Sequence, residues 1–304
     1  MKRPITNVAA SVRQRLLNEA KRRGESFDYI ASLFARERFL ARLSLSPHRD
    51  RLTLKGATVF AVWLVAHRPT RDLDFLGSGD FEPLSAIAII RDIVGVAVED
   101  DGLEFEAGSV SANPIRDPEE YHGVRIHLDA VLDTARIRLQ IDIGVGDVVT
   151  PPASLATLPS ILSDFSRPRV KVYPPETMVA EKLHAMVRLG IANSRMKDFF
   201  DVYVLAHTRD FDESLLTKAV TRTFKRRRTV IPEEPFALTA EFFSDASKQA
   251  QWRAFLTKSG MEAPVAFTEV GGNLRAFLAP VLTSARSGVT RARRWSAGAW
   301  REMR

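Results

Sequence analysis

The sequence predicts an α/β (α+β) protein: a mixed β-sheet flanked by helices, followed by a mostly helical C-terminal half. Three stretches predict it. Val124, Ile126 and Leu128 alternate with Arg125, His127 and Asp129; after a turn near Asp133-Thr134, Ile137, Leu139, Ile141 and Ile143 alternate with Arg138, Gln140 and Asp142. Period-two alternation makes each run a half-buried strand, and the short turn joins them as a hairpin. Leu54–Leu76 reads as a strand end, a glycine turn, an apolar helix and a second strand. From Pro174 onward the apolar residues recur at helical spacing and the segment reads as all-helical. The expected division is a sheet domain over 1–170 that begins with N-terminal helices, and a helical domain over 171–304.

The elements follow in order. Val12, Leu16, Leu17 and Ala20 form one amphipathic helix that Gly24 breaks. Phe27, Ile30, Leu33, Phe34, Phe39, Leu40 and Leu43 form a second, interspersed with Arg36, Arg38 and Arg42 and ended by Pro47. Arg51–Lys55 is a short strand, and Thr58–Ala66 is so uniformly apolar that it predicts a buried helix. Asp72–Leu76 is a strand closed by Gly77-Ser78-Gly79. Phe81–Val94 is a helix with Leu84, Ile87, Ile90 and Ile93 on one face, and Leu103–Ala107 is a strand. Residues 147–169, rich in proline, serine and threonine, read as a connector, and Val170–Tyr173 as a last edge strand. Pro174-Pro175-Glu176 opens a helix reaching 189, with proline near its first position and an acid in its first turn. Its apolar face carries Val179, Leu183, Met186 and Val187. Ser194 is placed to cap a helix over Arg195–Ala206, with Asp198 and Asp201 on the face of Val202 and Leu205.

Composition narrows the chemistry. The chain has 304 residues, 45% hydrophobic and 27% charged, an ordinary globular balance with length for two domains. It has no cysteine, which excludes disulfides, thiolate catalysis and cysteine-based zinc sites. Met1–Arg15 carries no apolar run of signal-peptide type and no stretch reaches membrane-spanning length, so the expected location is cytoplasmic, with no membrane partner. The net charge of +7 and pI near 9.8 permit a polyanionic partner. His48, His67, His122, His127, His184 and His207 show no metal-ligand spacing, and Gly144-Val145-Gly146 lacks the third glycine of a dinucleotide fingerprint.

The chemistry concentrates on Asp72, Asp74 and Asp142. Residues two apart on a strand share a face, so Asp72 and Asp74 project together while Leu73 and Phe75 point to a core. Paired carboxylates repel unless a cation lies between them, and a hard divalent ion, most simply Mg²⁺, suits oxygen ligands. A lone Asp-x-Asp is usually a solvated pair. Asp142, on the polar face of its own strand, makes the combination informative. Lys55-Gly56 stands at the strand-to-helix turn, where free N–H groups of a helix N-terminus can receive phosphate. Lys182 flanks an apolar helix stripe from which its ammonium can reach a cleft or simply extend to solvent. Asp198 and Asp201 lie where acids favour a helix dipole, and Arg195 is an i, i+3 partner of Asp198. Lys225–Arg228 is a basic cluster. The tail interleaves Arg286, Arg291, Arg293, Arg294, Arg301 and Arg304 with Trp295 and Trp300, which reads either as a base-stacking RNA surface or as a solvated face with two docked tryptophans.

Taken together, Leu54-Lys-Gly-Ala-Thr58, Arg68-Pro-Thr-Arg-Asp-Leu-Asp74, Ile141-Asp-Ile143, Tyr173-Pro-Pro-Glu176, Ala180-Glu-Lys-Leu183 and Arg195-Met-Lys-Asp-Phe-Phe-Asp201 resemble, in order, the AbiEii/AbiGii toxin family of nucleotidyltransferases, within the DNA-polymerase-β-like superfamily. The resemblance runs from about residue 10 to at least 232. It implies a nucleotidyltransferase-type sheet and a Mg²⁺-dependent transfer of NMP from NTP to an acceptor. The acceptor it suggests is RNA, especially the 3′ end of tRNA. It also implies a toxin's role in toxin–antitoxin or phage defence, with a cognate antitoxin as partner.

By residue, the resemblance implies that Asp72 and Asp74 hold metal and that Asp142, the third carboxylate, ligates the catalytic metal or draws a proton from the attacking hydroxyl. Lys55, Gly56, Ala57 and Thr58 cradle the nucleotide, Lys182 contacts its triphosphate, and Asp198 or Asp201 supplies the family's last motif. The site is expected in a cleft between the two halves. One departure stands out: the superfamily's Gly-Ser turn is here Gly56-Ala57, leaving Thr58 as the nearest hydroxyl. That departure keeps open an alternative, a degenerate nucleotide- or RNA-binding protein without transferase activity.

Overall fold

The computed structural model describes residues 7–64, 68–116, 122–260 and 266–303. They form two compact units: residues 1–146 with 154–172, and residues 147–153 with 173–304.

The first unit opens with α1 (Val8–Arg23) and α2 (Phe27–Leu45). Asn7 caps α1 by accepting from the Ala10 N–H at 2.9 Å, Gly24 ends it in the left-handed region at φ 69°, and Ser26 caps α2. The strands are β1 (Leu52–Lys55), β2 (Asp72–Gly77), β3 (Leu103–Phe105), β4 (Ser111–Arg116), β5 (His122–Leu132), β6 (Ala135–Val145), β7 (Ser154–Thr157) and β8 (Arg169–Val172); α3 is Pro83–Val94. They make one mixed sheet in the order β3-β5-β6-β2-β1-β8-β7, with β4 also on β5. The β2–β6 and β1–β8 pairs are parallel. The sheet's apolar face is dry: Leu73, Phe75, Ile126, Leu128, Leu139, Ile141 and Ile143 have no exposure. Phe39 of α2 lies between Phe75 and Phe105 at 6.5 and 6.4 Å between ring centres. The arginines interspersed in α2 are inside the unit. Arg42 makes a forked bond to Asp101 at 2.7 and 3.2 Å, and Arg38 bonds Glu37, Glu99 and the Ser166 carbonyl. Arg38 and Arg42 are thus buried as ion pairs, whereas Arg36, equally buried, bonds the Ser32 carbonyl.

Several expectations change. The apolar stretch after Gly56 is a 3₁₀ helix, Ala57–Val62, shorter than the helix expected over Thr58–Ala66, whose last two residues lie outside the described ones. α3 starts at Pro83 and buries Ala86, Ile89, Ile90 and Ile93, whereas Leu84 is 82% exposed; the buried stripe shares Ile90 and Ile93 with the expected one and is otherwise rotated from it. The strand at Leu103 ends at Phe105, and β4, whose Pro114 and polar residues hid it, follows. The expected connector contains β7, which takes the sheet edge and leaves β8 internal.

The second unit contains α4 (Pro175–Leu189), α5 (Met196–Thr208), α6 (Glu213–Arg226), α7 (Ala240–Ser244), α8 (Ala246–Lys258) and α9 (Phe267–Ser287). Its core is aromatic: Phe199 stacks on Phe242 at 5.4 Å and meets Phe243 and Phe267 edge-on. Residues 147–153 join this unit through side chains. Arg227 grips Asp147 with two bonds of 3.2 Å, and the Thr177 hydroxyl both accepts from the Thr150 N–H and donates to its carbonyl. The unit is not wholly helical. β9 (Phe211–Asp212), β10 (Arg293–Ser296) and β11 (Ala299–Glu302) form an antiparallel sheet. Trp295 is buried and donates to the Ala206 carbonyl at 2.6 Å; Trp300 donates to the Phe277 carbonyl and stacks on its ring. Of the two readings of the tail, the docked tryptophans are the one realised. Arg304 lies outside the described residues. α5 starts at Met196 with Arg195 at the N-cap position and no side-chain cap, so Ser194 does not cap it; Asn193 accepts from the Arg195 N–H at 2.8 Å in the turn that leads in.

Candidate active site

Strand register builds the site in the first unit. On β2, Asp72 and Asp74 share the polar face. The parallel pairing sets Asp74 beside Asp142 and Asp72 beside Gln140. β1 adds Lys55 opposite Asp74, and β5 adds Arg125 opposite Asp142. One row across four strands therefore reads Lys55, Asp74, Asp142, Arg125, with neighbouring backbones about 4.8 Å apart. The structure thus brings together the three predicted carboxylates and Lys55.

The glycine turn is fitted to this row. Gly56 has φ 69°, a region that favours glycine, and a β-carbon added there would land on the Asp74 carboxylate. The turn can therefore lie against Asp74 only with glycine at this position. Ala57, without a hydroxyl, opens the 3₁₀ helix, and the Thr58 hydroxyl lies 3.4 Å from the Asp72 carbonyl, the outer limit of a hydrogen bond. Lys55 extends over the face, so that a β-carbon at Gly144 would stand 3.9 Å from its Nζ.

Arg125 was not singled out from the sequence. Its guanidinium meets Asp142 in a forked pair, Nε–Oδ1 2.9 Å and Nη2–Oδ2 2.7 Å, with side chains 44% and 18% exposed. The bond to Asp142, with the further charges of Asp72 and Asp74, raises the Arg125 pKa. The signal was present in the hairpin: Leu132 opposes Ala135 across the turn, and seven steps out Arg125 opposes Asp142. As the side chains stand, no three His, Cys, Asp or Glu groups among the described residues converge as a metal cage; the Asp142 carboxylate is turned to Arg125. The donor chemistry nevertheless fits a hard divalent cation: three carboxylates on one face, two of them side by side.

In the second unit, Lys182 donates to Asp198 at 2.7 Å and lies 2.7 Å from Asp201, while Arg195 donates to Asp198 at 2.8 Å. Asp198 and Asp201 are almost fully buried. Burial disfavours the Lys182 ammonium, but the two carboxylates outweigh it and raise its pKa. Burial likewise opposes the Asp198 carboxylate, and Lys182 and Arg195 outweigh it and lower its pKa. The predicted set Lys182, Asp198 and Asp201 is thus one ion cluster joining α4 to α5. Next to it, Arg227 reaches Asp147, Glu181 and the His184 ring, and burial lowers its pKa to about 10.

Residues 38–273 match the family model described as nucleotidyl transferase AbiEii toxin, type IV toxin–antitoxin system. Two solved Helicobacter pylori structures resemble the chain at 12% identity. The protein JHP933 has a TM-score of 0.46 over 90% of this chain and 94% of its own. A candidate nucleotidyltransferase has a TM-score of 0.44 over 91% and 99%. No curated protein sequence matches the chain.

Proposed function

The chain belongs to the AbiEii toxin family of nucleotidyl transferases, from type IV toxin–antitoxin systems, and we propose that it transfers a nucleoside monophosphate from a nucleoside triphosphate to a hydroxyl of an RNA acceptor, with a tRNA 3′ end as the leading case. The observation that carries this reading is the register of Asp74 with Asp142, with Asp72 on the same face, behind a turn where only glycine fits.

The reaction needs positioning and charge neutralisation more than covalent chemistry by the protein. The acceptor oxygen bonds to the α-phosphorus, the bond from that phosphorus to the bridging oxygen breaks, and pyrophosphate leaves with the electron pair. Asp142 takes the proton of the attacking hydroxyl, for which Arg125 must release at least one of its two bonds. The backbone N–H groups at Gly56, Ala57 and Thr58 and the Lys55 ammonium bind phosphate oxygens. Asp72, Asp74 and Asp142 would hold Mg²⁺, which when bound supplies charge neutralisation at the triphosphate. Lys182 acts as a phosphate-binding ammonium whose direction Asp198 and Asp201 fix; two of its three N–H donors are placed on them. A cognate antitoxin follows from the type of system.

Purified protein, Mg²⁺, each of four α-labelled nucleotides and total RNA test the reading. Label in a discrete RNA band, lost in Asp72→Ala, is the expected result. Label retained after Asp72→Ala and Asp74→Ala overturns the catalytic assignment, and label on protein changes the acceptor. The second reading, binding without transfer, is favoured by Ala57 in place of serine; it predicts nucleotide binding with no labelled product.

A further inference from the structure

β2 begins at Asp72, opposite Gln140, so the start of β6, Ala135–Leu139, has β5 on one side and no registered partner in β2 on the other. A cavity of about 520 Å³ opens there, lined among others by Tyr29, Arg71, Asp72, His127, Arg136 and Arg138. That volume lies in the range of ligand sites, about 300–1,000 Å³. Two carboxylates, Asp28 and Asp72, face three guanidinium groups there. Among the described residues, none of Arg71, Arg136 and Arg138 is ion-paired. Arg36, next along the same face of α2 from Tyr29 and Ser32, is 2% exposed; its Nε donates to the Ser32 carbonyl, and its Nη2 is buried with no partner among the described residues. Buried guanidinium donors left unpaired are costly and rare.

The sheet order gives this cavity a side. Going across β5, β6, β2 and β1, the glycine turn stands on the β1 side of Asp72 and the cavity on the β6 side. In an in-line transfer the attacking and leaving oxygens stand on opposite sides of the reacting phosphorus. If the triphosphate lies on the turn, the acceptor approaches from the cavity.

We propose that this cavity is the acceptor subsite, where a backbone phosphate of a single-stranded RNA lodges between Arg71, Arg136 and Arg138 with the strand's hydroxyl directed to Asp72 and Asp142. This rests on the transferase reading above and adds where the acceptor binds. His127 and Tyr29 are placed to contact its sugar or base.

The test uses the full chain and a fluorescein-labelled single-stranded 12-nucleotide RNA, with anisotropy measured over a salt series, and nucleoside triphosphate binding measured in parallel by calorimetry. Arg136→Ala with Arg138→Ala should weaken RNA binding at least tenfold and reduce the salt slope by about 0.7, as expected for one lost phosphate contact on a single strand. Triphosphate affinity should stay within twofold. Arg71→Gln, which leaves β6 untouched, should weaken RNA in the same direction. Unchanged RNA affinity in both variants overturns the proposal. Weakened triphosphate binding with unchanged RNA assigns the cavity to the nucleotide and also overturns it. A wild-type chain that binds no RNA and labels protein instead sinks the RNA-acceptor reading itself, a result separable from the others because it needs no variant.

Discussion

On the sheet of the first unit, Asp72 and Asp74 are half-buried and Asp142 keeps 18% of its side-chain surface in solvent, held by an arginine that is itself 44% exposed. Between α4 and α5 of the second unit, Asp198 and Asp201 are 2% and 0% exposed and share one lysine. Both sets are carboxylates with cations. Water reaches the first, so its pairings can be exchanged for a ligand at small cost. The second is desolvated, and each carboxylate there depends on the partner it has. Three acids on an open face are poised to receive something; two acids around a buried ammonium are committed to it.

The largest effect expected from that difference is on stability. Lys182→Met leaves two buried carboxylates without their cation and should cost roughly 3–5 kcal/mol in denaturant unfolding. Asp72→Asn should change it by no more than about 0.5 kcal/mol. Equal costs would mean that both clusters are structural. Gly56→Ala comes next. Its positive φ and the collision with Asp74 predict a loss of about 1–3 kcal/mol, together with weaker nucleotide binding, readable by calorimetry. An alanine variant with unchanged affinity would show that the turn does not hold the nucleotide.

The ion cluster also sets a pH signature. Asp198 has a lowered pKa, so its contribution is complete above the ordinary carboxylate value and is lost as pH falls through the folded-state value. Lys182 has a raised pKa, so its contribution is complete below the ordinary lysine value and is lost as pH rises through the higher folded-state one. Melting temperatures should therefore owe no slope to Asp198 or Lys182 between about pH 5 and 9. Asp198→Asn should lower the plateau and remove part of the acid limb below about pH 4. The smallest effect belongs to the sheet. A double-mutant cycle on Arg125→Ala and Asp142→Ala should return a coupling of about 0.2–1 kcal/mol, as for other exposed pairs. A coupling of several kcal/mol would place this pair with the buried cluster instead.

Much of this was readable from one sequence. The alternation in β5 and β6, the strand with Asp72 and Asp74, and the helices from Pro175 follow from periodicity, which local burial imposes directly. What periodicity cannot show is which strand lies beside which. That Asp74 and Asp142 are neighbours depends on a parallel pairing between segments far apart in sequence. Arg125 was within reach, since the hairpin turn fixes its register, yet an exposed arginine among polar residues carries no signal of its own. β4 and β7 were missed because Pro114 and a stretch rich in proline, serine and threonine obscure alternation. The burial of Arg38 and Arg42 ran against composition, because their acidic partners come from distant loops. Trp295 and Trp300 sit beside arginines in a pattern that fits either base stacking or docking, and only the packing of β10 and β11 on α9 and Phe277 decides between them.

The most direct test of the account combines nucleotide incorporation with unfolding for Asp74→Asn. The expected result is a folded protein of near-wild-type stability whose incorporation of α-labelled nucleotide falls by about 10²-fold or more. A folded Asp74→Asn protein that still labels RNA at the wild-type rate would contradict it, and would move the chemistry away from the sheet.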